Sequence, residues 1–412
     1  MKNYLILSAL LAFVPVAAQT SLGDYRQAVT EYSWELKVAA SKSDAASETM
    51  GQARTGYLPR LSLDGSFTAT VHHYDGLERW NFSVLPQLVQ TVYGGGAVRA
   101  AYKQAELGYD IALCDEQFTQ LDVRYAAEYT YWNLSAMELY AASMRQYVNI
   151  IRSLKEVVDR RFAEGYIAKG DVLMIDARLS EAQYGLVSAE RNYTVALHNF
   201  NILRGADPAL GVTLAQGIRD SLPQPVRVPA AEAAAFRPDY AAAQLRSDRA
   251  EAGIRAARAA FNPQLSVGVG GSWQPYYPNR TGATTVDGSA FVKLSLPIFH
   301  WGERRRATGV ARAVQRQSEW DAAQLYDDIL RDEMNGWTAL VNSRAQVDAT
   351  EQSLRIAGEN LDISTYSYGE GLSTILDVLQ AQLSWIQLYT NAIKAHYNYA
   401  VAVSDYLRIT AQ

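Results

Sequence analysis

Asp171 and Asp377 each stand six residues after a glycine, Gly165 and Gly371, and each opens the phrase Asp-Val-Leu. Both the glycines and the aspartates are 206 positions apart. A carboxylate placed just after a glycine turn can complement the positive end of a helix. Repeated around an axis by several chains, it can instead focus a negative potential that favours cations. Neither role makes or breaks a bond, and the other reactive residue types offer less. His72-His73 fall beside a polar connection with no further ligand cluster, which suits solvated or headgroup-facing histidines. Gly94-Gly95-Gly96 is not followed by the Lys-Ser/Thr of a phosphate loop and eases a bend instead. Asn279-Arg280-Thr281 fits a glycosylation sequon only as a pattern. Cys114 is the single cysteine, so no intramolecular disulfide forms, and it reads as a small packing residue. With no nucleophile–base pair, metal-ligand spacing or cofactor fingerprint, the chain reads as a non-enzyme without cofactor or metal.

The elements that must position the two aspartates follow from the prolines. None of the 12 prolines lies between Pro86 and Pro208, and none follows Pro297. Proline breaks a helix interior, so these two tracts, rich in Ala, Leu, Gln, Glu and Arg, permit very long helices. The stretch from Ala97 to Glu164 holds one glycine, Gly108, and as continuous helix would run on the order of 100 Å. Such an element must pack lengthwise against others of its kind. Gly165 and Gly371 are its expected stops, and Asp171 and Asp377 lie near the start of each returning helix.

Between these tracts the period changes to two. Leu61–Val71, Trp80–Val84, Leu265–Trp273 and Val292–Ile298 alternate apolar with small or polar residues, as strands with one apolar face do. His72–Arg79 and Gln274–Gly288 are the polar connections of two hairpins. Tyr57, Tyr74, Trp80, Trp273, Tyr276, Tyr277, Phe299 and Trp301 cluster at the strand ends, the aromatic pattern of an outer-membrane barrel. A soluble sandwich with one buried face is the alternative.

Residues 1–18 carry a short positive start, an apolar run and Val16-Ala17-Ala18, a signal peptide expected to leave Gln19 first. The formal net charge of −5, one unit more negative without Lys2, argues against nucleic acid as a partner. The repeat extends beyond the turns: Tyr57-Leu58-Pro59-Arg60-Leu61 answers Phe261-Asn262-Pro263-Gln264-Leu265, and Asn192-Tyr193 answers Asn398-Tyr399. The expected organisation is a first repeat over 19–205, an insert over 206–237 belting the helices near their middle, and a second repeat over 238–412. Each chain then has four strands and two long helical hairpins. Four strands cannot close a barrel, and open sheet edges do not survive in lipid, so the chain must assemble. Two copies would give eight strands and three would give twelve, the number that can leave a lumen.

These pieces resemble the TolC-type outer membrane efflux and secretion channels over residues 20–412. The resemblance rests on Arg237-Pro238-Asp239-Tyr240, on Ala250–Pro263, on Leu296-Pro297-Ile298-Phe299 and on the two glycine turns. It implies a mainly α chain with a transmembrane β part, forming a homotrimer. A 12-stranded β-barrel in the outer membrane lipid would continue as an α-helical periplasmic barrel. It also implies docking at the helical tips to a periplasmic adaptor (membrane fusion) protein, itself bound to an inner-membrane transporter of RND or ABC type. Carried over by position, Asp377 matches the first aspartate of an acidic ring, and the next ring position is Gln380. Tyr368 matches a tyrosine of the closing network, and Asp171 is its first-repeat counterpart in the gate. Ser373 stands where relatives have an arginine, which weakens the case for a salt bridge to Asp171. The adaptor contacts would be Gly165 and Tyr166 in one turn and Gly369, Gly371 and Leu372 in the other. The membrane-interface aromatics would be Tyr57, Trp80, Trp273, Tyr276, Tyr277 and Trp301.

The expected function is a passive conduit that expels small toxic compounds with an adaptor and an inner-membrane pump. The alternative of the same build is the outer membrane component of a type I-like protein secretion system. A soluble periplasmic adaptor is disfavoured, since it would show one hairpin beside a β domain rather than two full repeats.

Overall fold

The computed structural model describes residues 19–69, 71, 79–220, 222–274 and 285–412. The expected signal peptide, His72, His73, Tyr74, Tyr276, Tyr277 and the Asn279 sequon lie outside the described residues. In chain order the elements are α1 (Leu22–Tyr32), α2 (Trp34–Arg54), β1 (Arg60–Ala69), β2 (Trp80–Gly94), α3 (Ala97–Ala163), α4 (Lys169–Leu203), α5 (Ala230–Phe236), α6 (Pro238–Ala259), β3 (Gln264–Gln274), β4 (Thr285–Ser295), α7 (Glu303–Gly369) and α8 (Ile375–Ile409). The proline-free tracts are helices as expected. Helices α3 and α7 are each 67 residues long and α4 and α8 each 35, so every boundary in the second hairpin falls 206 residues after its counterpart.

The chain divides into two units. The first comprises residues up to Leu36, Gln120–Ala233 and Leu330–Gln412. Its helices bury residues seven apart: Ala127, Leu134, Ala141 and Val148 on α3; Ile175, Ala182, Ala189 and Ala196 on α4; Leu340, Val347, Leu354, Leu361 and Tyr368 on α7; Val378, Trp385, Ala392, Tyr399 and Tyr406 on α8. A strict seven-residue period in a 3.6-residue helix drifts unless the helices coil around one another with a left hand. The alanine stripe of α4 permits a close approach, while α8 supplies the bulk. Midway along this unit Tyr25 stacks on Phe200 at 3.8 Å and donates its hydroxyl to the Phe200 carbonyl at 3.0 Å. The segment after α4 is pinned to the helices. Asn201, fully buried, donates to the carbonyls of Pro208 and Leu210, Ser135 accepts from the Ile218 amide at 2.7 Å, and Arg227 pairs with buried Glu333 at 3.1 Å.

The second unit comprises Lys37–Thr119 and Ala234–Ile329 and contains the sheet, four antiparallel strands in the order β1-β2-β3-β4. The register places Leu61, Leu63, Phe67, Trp80, Phe82, Val84, Leu88, Val269, Trp273, Val286, Val292 and Leu294 on one face. Arg60, Ser62, Asp64, Ser66, Asn81, Ser83, Gln87, Ser272, Asp287 and Lys293 lie on the other, together with Leu85, Val89 and Phe291, and there Ser66 and Ser83 hydrogen bond across strands at 2.7 Å. Apolar on one side and predominantly polar on the other, this is the alternation of a transmembrane barrel wall.

Two strand boundaries differ from the sequence reading. Strand β2 runs on past Val84 through Pro86 to Gly94, and β4 occupies Thr285–Ser295 instead of Val292–Ile298. Pro86 has no N–H to give, and it sits in a gap of the β2–β3 ladder, which is paired from Gly94 to Gln87 and resumes at Val84. A Cβ on Gly271 would lie 3.5 Å from the Pro86 ring, so the facing glycines leave it room. Pro297 just past Ser295 stops β4 in turn. Thirteen residues separate Trp80 from Tyr93 on β2, about 43 Å of strand at ~3.3 Å per residue. A barrel tilt of ~45° would reduce that to roughly 30 Å, the hydrocarbon thickness of a bilayer. Among the described residues no helix is long and apolar enough to cross a membrane.

Candidate functional site

Both glycine turns are built by the same device. At the end of α3 the Gly165 amide donates to the Phe162 carbonyl at 3.0 Å and Tyr166 donates to Arg161 at 2.9 Å. At the end of α7 the Gly371 amide donates to Tyr368 at 3.0 Å and Leu372 donates to Ser367 at 2.8 Å. This is the Schellman pattern, and it needs a left-handed residue after the helix end. Gly165 and Gly371 both have φ 78, which explains why the glycine is repeated.

The returning helices differ. Thr374 and Asp377 form a capping box: the Thr374 hydroxyl and amide donate to the Asp377 carboxylate at 2.7 and 2.9 Å, and the hydroxyl accepts from the Asp377 amide at 3.4 Å. These bonds hold the exposed Asp377 carboxyl below the usual carboxylate range. The first repeat has Ala168 at the cap, and nothing but its backbone meets the Asp171 amide, at 3.1 Å. Asp171 makes no ion pair or side-chain hydrogen bond among the described residues.

A residue that the sequence did not single out ties the two tips together. The Arg161 guanidinium, at the end of α3, donates to the Gly369 carbonyl at 2.7 Å and lies 4.9 Å over the Tyr368 ring. Tyr368 is 3% exposed, and its hydroxyl finds no hydrogen-bond partner among the described residues. Burial pushes that phenol up, partly offset by the neighbouring Arg161 charge. Close by, fully buried Gln382 has neither end of its amide paired among the described residues, whereas Gln380, two residues earlier and so on the opposite face of α8, is exposed. A groove of about 930 Å³ between α3 and α7 ends on Tyr368, Gly369 and Gln382. Tyr166, Leu372, Leu173 and Leu376 stand exposed around the tips. The Thr374 cap was readable as a Thr-x-x-Asp pattern, whereas the Arg161 contact joins residues 208 apart and carries no local signal.

The structure thus brings Tyr368, Gly369, Gly371 and Leu372 to one tip with Arg161, and sets Asp377 one turn above. Gly165, Tyr166 and Asp171 occupy the corresponding places after α3. Of the aromatics, Trp80 and Trp273 sit at the hairpin ends of the strands, in ring contact with Phe67 and Phe82. Tyr57 and Trp301 flank the helical ends, with Tyr57 against Tyr102.

Residues 26–205 and 230–408 match the model of a family described as outer membrane efflux protein. The outer membrane protein TolC of Escherichia coli (strain K12) is 26% identical over 390 residues, covering 89% of this chain and 77% of that protein. The alkaline protease secretion protein AprF of Pseudomonas aeruginosa is 26% identical over 305 residues, 70% of this chain and 62% of that protein. Among solved structures, CusC superimposes with a TM-score of 0.84 at 17% identity, covering 95% of this chain and 92% of the other, a likeness of fold.

Proposed function

This chain belongs to the outer membrane efflux protein family, and on that premise we propose that it is the outer membrane conduit of a tripartite export system for small toxic compounds. It is a passive channel of the outer membrane extending into the periplasm, and not an enzyme. The observation that carries the reading is the pairing of a sheet apolar on one face and polar on the other with two seven-residue-repeat helical hairpins. Among the described residues strands β1 and β4 each lack a neighbour on one side, and three copies joined at those edges would give twelve strands around a lumen. The helical tips would meet a periplasmic adaptor carried by an inner-membrane transporter of RND or ABC type.

In this arrangement Asp377 from three chains forms the acidic ring and the Arg161–Tyr368 contact closes the gate. The turns Ala163–Tyr166 and Gly369–Leu372 are the adaptor contacts. A bulky residue at Gly371 must adopt φ near 78, where a β-branched side chain costs about 1–2 kcal/mol. Gly371→Val is therefore expected to lower the melting temperature by a few degrees and to lose the copurifying adaptor. An intact trimer that retains the adaptor in full would remove this turn from the interface.

The functional test is a susceptibility panel on a strain lacking the gene, with dyes, detergents, bile salts and antibiotics. Broad hypersensitivity restored by the wild-type gene is expected. A second reading, polypeptide secretion, is favoured by the likeness to AprF, whose name describes alkaline protease secretion. An unchanged panel together with a missing secreted protein would decide for it.

A further inference from the structure

We infer that the junction between β4 and α7 is a binding surface for anionic phospholipid headgroups of the membrane leaflet on the helical side of the sheet. The inference rests on the outer membrane reading above and adds a lipid class and named residues to it. The apolar face of β4 does not end with the strand. Val292 and Leu294 continue into exposed Leu296, then Ile298 at 90%, Phe299 at 67% and Trp301 at 90% exposure, with Phe299 and Trp301 rings in edge contact at 4.9 Å. The patch is thus continuous with the face that meets lipid, and its aromatic end is the kind of side chain that settles at headgroup depth.

Directly beyond it come Arg304, Arg305 and Arg306, all exposed. None of the three guanidinium groups forms an ion pair or hydrogen bond among the described residues, and neighbouring Glu303 is engaged by His300 at 3.4 Å. Three like charges in the first turn of α7 also face the positive end of that helix, an unfavourable arrangement in water alone. Bilayer phosphates next to the apolar patch supply the missing countercharge.

The first repeat shows that this junction is a specific feature. Gly95-Gly96 occupies the place of Trp301-Gly302, with φ 65 and 92 against 47 and 80. A Cβ on Gly95 would come within 2.6 Å of the Ala259 carbonyl, so that turn must stay bare. Its helix then begins Ala97-Val98-Arg99-Ala100, with one arginine where α7 has three positions Arg304–Arg306 to fill. The second repeat instead holds a tryptophan in a left-handed conformation that glycine adopts freely, and points its indole into solvent. The surface is therefore expected once per chain.

The test uses the purified full-length protein in mixed micelles of phosphatidylethanolamine and phosphatidylglycerol, with retained lipid counted by native mass spectrometry. Wild type is expected to enrich phosphatidylglycerol, less so in 1 M salt, where screening shortens to about 3 Å. At roughly a fivefold gain per basic residue near an anionic surface, Arg304→Gln/Arg305→Gln/Arg306→Gln should cut the enrichment tenfold or more. Arg304→Lys/Arg305→Lys/Arg306→Lys should keep most of it. Wild type that retains the two lipids equally, or a glutamine variant that keeps full enrichment, would overturn the inference. Fractionation of the same strains separates this from the parent reading: protein released without detergent would remove the outer membrane placement itself.

Discussion

Asp377→Asn is expected to take most of the cation preference from the reconstituted channel, measured as the reversal potential in a salt gradient across a planar bilayer. Asparagine keeps an oxygen that can accept from the Thr374 amide and hydroxyl, so the capping box survives while its charge is lost. Alanine would remove both and confuse a frayed helix with a discharged pore. In a single chain the cap holds the carboxyl below its ordinary range. Three copies around an axis oppose that, because like charges held close favour the protonated form of at least one. The sign follows from the depressed value: the contribution of the cap to stability is present above the unfolded carboxylate range and is lost as pH falls through the lowered value. Selectivity should therefore fall in acid for wild type and be flat with pH for Asp377→Asn, and Asp377→Glu should restore the pH dependence. A variant with unchanged reversal potential would place the selectivity filter elsewhere.

Sequence reading and structure agree where the signal is periodic and local. Proline-free tracts became helices of 67 residues because nothing in them interrupts the backbone ladder, and the glycines that end them were visible because a left-handed cap excludes other residues. Pro86 misled the reading of β2, since a proline inside a paired strand is tolerated only when the partner strand leaves a gap and space, here at Gly270 and Gly271. At the tip the repeated glycine turns and their aspartates were legible because their caps lie within a few residues, while Tyr368 was reached only through the family resemblance. The sequence could not show Arg161, because the register of one hairpin against the other is set by four helices packing at once. Nor could it distinguish Trp301 from any interfacial aromatic: its meaning comes from a backbone angle and from the bare glycine at the equivalent place.

Removing Arg161 should have the larger effect on resting conductance. Arg161, arriving from the end of α3, holds the end of α7 through the Gly369 carbonyl and the Tyr368 face. A half-exposed cation–π contact contributes about 0.5–1 kcal/mol, and the charge-assisted bond to a carbonyl at least as much. Discounted for solvent, ~1 kcal/mol per chain is a conservative figure. If the three tips part together, about 3 kcal/mol separates wild type from variant, on the order of 100-fold in the open population. Arg161→Met keeps the aliphatic stem over Tyr368 and deletes only the charge and its donors. It should raise the frequency of open events in single-channel records and sensitise cells to large antibiotics that normally do not enter. Arg161→Lys keeps a charge but not the planar fork, and should fall between the two. Opening also offers an account of Gln382 and of the Tyr368 hydroxyl, whose buried and unpaired atoms are each costly by about 1–3 kcal/mol unless another arrangement satisfies them. Gln382→Leu should accordingly bias the channel towards rest and reverse part of the Arg161→Met leak. An Arg161→Met leak left unchanged by Gln382→Leu would show that the two residues act on separate equilibria, and an Arg161→Met channel as quiet as wild type would reduce the contact to a brace of the turn.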